Sequence, residues 1–341
     1  MMDITLFDFE LPPQYIAQEP LEKREECKLM VLDRRNETIK HKKFFQIIEY
    51  LNPGDLLVLN DSKVMPARLI GYKKATGGKI ETLLINHKSD GCWQALLKPG
   101  RKASPGTEII FSDQLSAIVL SKDEEQGIFL LKMRSGKNIQ EILHKIGVVP
   151  TPPYIKKNLT NPDSYQTVYA RNEGSIAAPT AGIHFTEELL TEIQKKGITI
   201  IYLTLHIGRG TFELIKVFQI EEHRMKEELY TISSENAEII HRAVLEKRRI
   251  IGVGTSVTRA LESAFIHNII CQGTRWTNLF IYPGYHYKVI NALITNFHLP
   301  RSTPLVLAAA FAGKDFLFEA YYEAIRKGYR FYSFGDAMFI M

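Results

Sequence analysis

The chain has 341 residues, 45% hydrophobic and 24% charged, enough for two or three ordinary domains with a real core. Its 43 basic and 38 acidic residues leave a formal charge of +5, which permits a polyanionic partner without demanding one. The three cysteines, Cys27, Cys92 and Cys271, form no CxxC pair, which argues against a disulfide framework or a thiolate zinc site and fits a reducing cytoplasm.

In chain order, the opening MMDITLFDFELPP carries Asp3 and Asp8 and has no basic stretch ahead of an apolar run, so it does not read as a signal peptide. DLLVLN, residues 55–60, predicts a strand. Residues 66–147 then change character. The runs ARLIGYK, GKIETLLINHK, CWQALLK, TEIIFS, LSAIVLS and GIFLLKM follow one another, separated by turn signals such as Thr76-Gly77-Gly78 and Pro99-Gly100. Short strands at this spacing predict a small antiparallel sheet or barrel. NIQEILHKIG predicts a short helix ending at Gly147, and the proline-rich residues 148–172 a loop.

From about residue 175 strands and helices alternate. GITIIYLTLHIG, RIIGVGTS, WTNLFIYPGY, VINALITNF and RFYSFGDAMFIM predict strands. ENAEIIHRAVLEKRR, VTRALESAFI, STPLVLAAAFAG and DFLFEAYYEAIRKG predict helices. PLVLAAAFAG is the longest apolar run and is too short to span a bilayer. Alternation of this kind implies parallel strands with crossover helices. The expected fold is α/β: a main α/β domain with largely parallel strands, residues 1–65 and 148–341, and a small antiparallel β-barrel domain inserted at 66–147.

Candidate site residues fall in four loops between a strand and its successor. AAPTAGIHFTEELL, in 177–190, places Thr180, Gly182 and His184 just ahead of a helix, with Thr186 as N-cap and Phe185 and Leu190 as a hydrophobic staple. TLHIGRGTF places His206, Arg209, Gly210 and Thr211 after a strand. GVGTSVTRALES runs from a strand end into Thr255, Ser256 and Arg259. LITNFHLPRST holds Asn296 and His298. In open α/β sheets such strand ends share one edge, where ligands bind, and helix N-termini there favour anions. Ala181 and Gly182 would let a ligand approach the backbone closely. Each residue also has an ordinary structural role available. A histidine at a strand end is commonly a hydrogen-bonded core residue, Arg209 and Arg259 can pair with carboxylates, and the glycines can serve turns. The three histidines could also bind a metal, although no HxH or HExxH spacing supports that, and GVGTSV is not GxGxxG. PPYIKK and SYQTVYA interleave Tyr154, Tyr165 and Tyr169 with Lys156 and Lys157, a mixture that suits an unpaired RNA segment or a loop packed on the core.

Long stretches resemble one family closely. NPGDLLVLNDSKVMPARLIG, TGGKIE, PPYI, YQTVYA, AAPTAGIHFT, TLHIGRGTF, VGTS, FIYPGY, LITNFHLPRSTP and YRFYSFGDAM are similar to the S-adenosylmethionine:tRNA ribosyltransferase-isomerases of queuosine biosynthesis. The resemblance covers nearly the whole chain. It implies an α/β domain bearing an inserted barrel, in a cytoplasmic, monomeric enzyme with no obligate protein partner and no membrane association. It implies no prosthetic group, with S-adenosylmethionine as co-substrate. The ribosyl moiety would pass to 7-aminomethyl-7-deazaguanine at the wobble position of tRNA, giving epoxyqueuosine-tRNA and releasing adenine and methionine. His184, His206 and His298 would serve the proton transfers, with Asp336 and Glu262 as alternative carboxylates. Thr180, Gly182, Arg209, Gly210, Thr211, Thr255, Ser256, Arg259 and Asn296 would hold S-adenosylmethionine. Lys63, Arg68, Tyr154, Lys156, Lys157, Gln166 and Tyr169 would contact the anticodon arm of the tRNA. The chain departs from the family pattern in three places: HRMK, where Lys226 replaces a usual histidine, and ECKL and NDSK, which stand where Ser-Arg and Thr-Arg are usual. Lys63 keeps the charge and loses the bidentate fork of arginine.

Overall fold

The computed structural model describes residues 1–88, 90–157, 159–208, 210 and 213–341. The chain divides into two units, one formed by Met1–Lys63, Pro152–Asn172 and Ala178–Met341, the other by Val64–Thr151 and Glu173–Ala177.

The first unit is built on a nine-stranded sheet. Its strands in chain order are β1 (Lys28–Asp33), β2 (Thr38–Lys43), β3 (Leu56–Asn60), β4 (Thr199–Leu205), β5 (Glu228–Ile232), β6 (Ile250–Val253), β7 (Gly273–Thr277), β8 (Ala292–Asn296) and β9 (Ala337–Ile340). Their spatial order is β7-β5-β4-β3-β6-β8-β9-β1-β2. Parallel pairing runs from β4 through β3 and β6 to β8, with Ile200 beside Leu57 and Val253 beside Ile294. Every residue of β3, β6 and β8 is buried, which explains their continuous apolar runs. Antiparallel pairs flank this block: β4–β5 and β5–β7 on one side, β8–β9 and β1–β2 on the other. The β2 edge exposes Lys40 and Lys43, charges that discourage pairing with another chain.

Five helices pack on this sheet: α1 (Glu187–Lys195), α2 (Ser234–Leu245), α3 (Thr255–Ala264), α4 (Thr303–Ala312) and α5 (Lys314–Arg326). α1 inserts Leu189, Leu190 and Ile193 into a core with Leu57, Leu59, Ile251, Val253, Ile294 and Phe339. α4 is apolar on every side and almost wholly buried.

Two sequence expectations are corrected. WTNLFIYPGY is not a strand. The strand is β7, upstream, and the chain leaves the sheet after Thr277, whose hydroxyl accepts from the Leu279 backbone N–H at 3.2 Å and turns the backbone away. In RFYSFGDAMFIM only Ala337–Ile340 is strand. Before it, Tyr332 adopts φ +72° and its carbonyl accepts from the Gly335 N–H, forming a tight turn. The β1–β2 hairpin and β5 were not anticipated.

The second unit holds a closed six-stranded antiparallel barrel, in the order Ile128–Ser135, Cys92–Lys98, Lys79–His87, Arg68–Lys73, Glu108–Ser112 and Leu115–Asp123. Alternation along the strands fills the interior with Leu69, Ile80, Leu84, Ala95, Leu97, Ile109, Val119, Phe129 and Leu131. The helix Ile139–Ile146 starts at Asn138, whose side chain caps Gln140 N–H, and it buries Ile142 and Leu143. No helix among the described residues is long and apolar enough to cross a membrane.

Candidate active site

The parallel strands β3, β4, β6 and β8 end on one edge of the sheet, and a cleft opens over that edge. The loop after β6 enters it most directly. Gly254, at φ +91°, turns the chain straight from β6 into α3. An L side chain there would strain the backbone. Among the described residues no side chain N-caps α3, and its first N–H groups, beside Thr255 and Ser256, open toward the cleft. The end of β3 braces this loop. Buried Asn60 donates to the Leu205 carbonyl at 3.0 Å and to Ser256 Oγ at 3.3 Å, and it accepts from the Leu205 N–H at 3.0 Å.

Charge in the cleft is balanced. Arg259, on the first turns of α3, is ion-paired with Glu228 of β5, and both are buried. Arg259 Nε also donates to the Leu279 carbonyl at 2.9 Å, and the Gly208 N–H donates to Glu228 at 2.8 Å. The sequence did not single out Glu228; it lies 31 positions from its partner in an otherwise ordinary strand. Ile207, Met225, Phe280, Ile281 and Leu307 supply apolar wall, and Tyr154, Tyr332 and Ser333 complete the lining.

The histidines are placed unequally. His298 lines the cleft, with Nε2 2.8 Å from Thr295 Oγ1, and burial pushes its imidazole down to about 3. His184 lies behind the lining, buried between Cys27 and Asn296. Burial, with Arg330 and Arg24 adding to it, pushes it to about 3 as well. Both rings are therefore neutral in the fold. His206 is half-buried after β4, where burial lowers its pKa against the opposing pull of Asp61. It is not part of the cleft lining. His206 sits after β4, beside Ile207 of the cleft wall, with two strands between β4 and β8. The structure thus brings His184 and His298 to the end of β8 and places His206 at the end of β4.

Thr180, Thr255, Ser256, Arg259 and Asn296 all line the cleft. Gly210 packs against Lys226 instead, and Lys226 pairs with Glu213 at 3.2 Å. Arg209 and Thr211 lie outside the described residues. Beside Gly182 the space is taken by the Tyr169 hydroxyl, which a Cβ would overlap, so the missing side chain serves packing there. Asp336 and Glu262 are structural ties. Asp336 accepts from the backbone N–H groups of Lys28 and Arg330, and Glu262 from those of Lys288, Val289 and Ile290 and from the Tyr285 hydroxyl. Among the described residues no group of three His, Cys, Asp or Glu side chains is arranged to hold a metal ion.

The comparisons with known proteins agree over the full length. A family profile described as "Queuosine biosynthesis protein" matches residues 4–340. The chain belongs to that family. It is 50% identical to a protein named S-adenosylmethionine:tRNA ribosyltransferase-isomerase from Clostridium kluyveri, over 99% of this chain and 100% of that one. Identity is 49% with the protein of the same name from Acetivibrio thermocellus, with the same coverage. A crystal structure titled S-adenosylmethionine tRNA ribosyltransferase, from Thermotoga maritima, is 40% identical, with a TM-score of 0.58, over 98% of this chain and 100% of that one.

In this queuosine-family member the residues expected to touch tRNA divide by exposure. Lys156 and Lys157 are exposed, the latter 3.2 Å from Glu19. Lys63 is half-buried. Arg68, in the barrel unit, donates to the Thr151 carbonyl at 3.2 Å and faces Glu81. The aromatic residues point inward. Tyr165 and Tyr169 are buried, Tyr169 against Tyr202, and Gln166 is buried with its carbonyl accepting from Arg24. Tyr154 turns to the cleft, its hydroxyl 2.7 Å from Ser333 Oγ and its ring 4.7 Å from that of Tyr332. Tyrosines of a proline-rich loop look alike in sequence whether they face RNA or core.

Proposed function

We propose that the protein transfers and isomerises the ribosyl moiety of S-adenosylmethionine onto 7-aminomethyl-7-deazaguanine at the wobble position of tRNA. Epoxyqueuosine-tRNA forms, and adenine and methionine are released. The observation that carries this is the 50% identity, over 99% of this chain and 100% of the other, to a protein bearing that enzyme name. The protein acts as a cytoplasmic monomer without a prosthetic group, and the two units serve as catalytic domain and inserted domain.

The cleft residues fit such a co-substrate. Its sulfonium supplies the chemistry, by acidifying the neighbouring C5′ proton. The N-terminus of α3, at Thr255 and Ser256, suits an anionic group such as the methionine carboxylate. The Arg259–Glu228 pair offers charges of both signs to an amino-acid head. His298 is the neutral group at the cleft wall best placed to accept a proton. The apolar wall excludes water from the exchange. His184 and His206 do not line the cleft.

Incubation of the protein with S-adenosylmethionine and precursor-bearing tRNA, followed by mass analysis of the tRNA nucleosides, tests the activity. A ribosyl-derived mass gain with stoichiometric adenine release is expected. Intact protein that leaves the tRNA mass unchanged would refute it.

A further inference from the structure

A chain of polar groups starts in the core and ends in the cleft. Cys27 Sγ lies 3.2 Å from His184 Nδ1, and His184 Nε2 lies 3.1 Å from Asn296 Nδ2. Asn296 Oδ1 accepts from the Thr180 hydroxyl at 3.2 Å. The Tyr332 carbonyl oxygen, 3.2 Å from Asn296 Nδ2, sets the direction of all of them. A carbonyl only accepts, so the amide nitrogen must face it. That same nitrogen faces His184 Nε2, which therefore accepts and carries no hydrogen. A neutral imidazole then holds its proton on Nδ1, aimed at the Cys27 sulfur. At the far end the Thr180 hydrogen is committed to Asn296 Oδ1. What Thr180 can offer a ligand in the cleft is lone pairs.

We propose that Cys27 and His184 are positioning residues that, together with the Tyr332 carbonyl, hold Asn296 so that Thr180 is an obligate acceptor, and that this acceptor selects the exocyclic amino group of adenine. The assignment to adenine rests on the ribosyl-transfer reading above. The wall around Thr180 suits a flat base: Ala178, Pro179 and Ala181 are apolar, and the Tyr154 and Tyr332 rings adjoin them on the lining. The charged pair that suits an amino-acid head is anchored by Glu228 on β5, four strands along the sheet from β8. Serine at position 27 would serve the same scheme, because either a sulfur or a hydroxyl oxygen can accept the Nδ1 hydrogen.

Two measurements on the full-length protein test this. Long-range nitrogen–proton correlation spectra at neutral pH, with the His184 signals assigned by their loss in H184Q, report which ring nitrogen is protonated. The Nδ1-protonated form is expected in the wild type and in C27S, with the Nδ1 proton signal shifted in C27V, where it loses its acceptor. An Nε2-protonated wild type overturns the relay. The second measurement is the ratio of kcat/KM for S-adenosylmethionine to that for its 6-deamino analogue, which carries purine in place of adenine. The wild type should favour adenine by at least about 10-fold, one hydrogen bond's worth. T180V and H184F should bring the ratio close to unity, and C27S should keep it. Half-exposed Thr180 keeps the test open if H184F does not fold. Equal losses on both co-substrates, with the ratio unchanged, overturn the selection. A wild type that consumes neither co-substrate overturns the ribosyl-transfer reading and the adenine assignment with it, while the tautomer of His184 is still read independently.

Discussion

His184 and His298 tie stability to acidity. Both are held near 3 in the fold, whereas the same rings in the unfolded chain titrate at about 6.5. Above 6.5 both states are neutral and the full stability is present. As pH falls from there toward 3 the unfolded chain binds protons that the fold refuses, so stability is lost by about 1.4 kcal/mol per pH unit for each ring. His298→Gln should flatten the urea-midpoint profile between pH 6 and 4 by one such increment; a parallel profile would contradict neutrality. The Arg259–Glu228 pair makes a second residue-scale prediction. Arg259→Met strands a buried carboxylate without its guanidinium and should cost about 3–5 kcal/mol. Adding Glu228→Gln should recover part of that cost, and a loss near the ~1 kcal/mol of a surface pair would show that the site is wet. The neighbourhoods of these residues were legible in the sequence but their orientations were not. Gly, Thr, Arg and His at strand ends marked the edge. Whether a loop side chain points out, as His298 does, or back to the core, as His184 does, follows no periodicity and depends on partners such as Cys27, 157 positions away.

Among the elements, the short turn Thr180–Gly182 ahead of α1 carries a tight constraint. Gly182 faces the Tyr169 hydroxyl, which is buried and has no hydrogen-bond partner among the described residues. Gly182→Ala must push one of them aside, at about 1–3 kcal/mol by thermal or urea unfolding. Tyr169→Phe in the same chain removes the oxygen and should restore part of the loss. If the double variant is no better than the single, the strain lies in the backbone. α1 itself was readable from its cap: Thr186 accepts from the Leu189 N–H as the motif predicts, and Thr186→Ala should cost about 1 kcal/mol. Elements with strong periodicity or continuous apolar runs, such as β3, β6 and the barrel strands, declared themselves. β7 did not, because FIYPGY is as apolar as a strand while its backbone is bent by the Thr277 hydroxyl, a local hydrogen bond that hydrophobic pattern cannot report.

For the molecule as a whole, the tRNA proposal rests on exposed cations rather than on the buried tyrosines. Replacing Lys156 and Lys157 by alanine should weaken tRNA binding and reduce the slope of log affinity against log salt by about 1–2. An unchanged slope would move the contact elsewhere on the surface. The sheet also has an unusual join. β9 alone connects the β1–β2 hairpin to the rest, lying beside β1 on one side and β8 on the other. A nascent chain therefore makes its first hairpin early and cannot seat it until the strand near the far end has left the ribosome. At about 5–20 residues per second that delay is roughly 15–60 s, long enough for the waiting apolar face to be a natural client of chaperones.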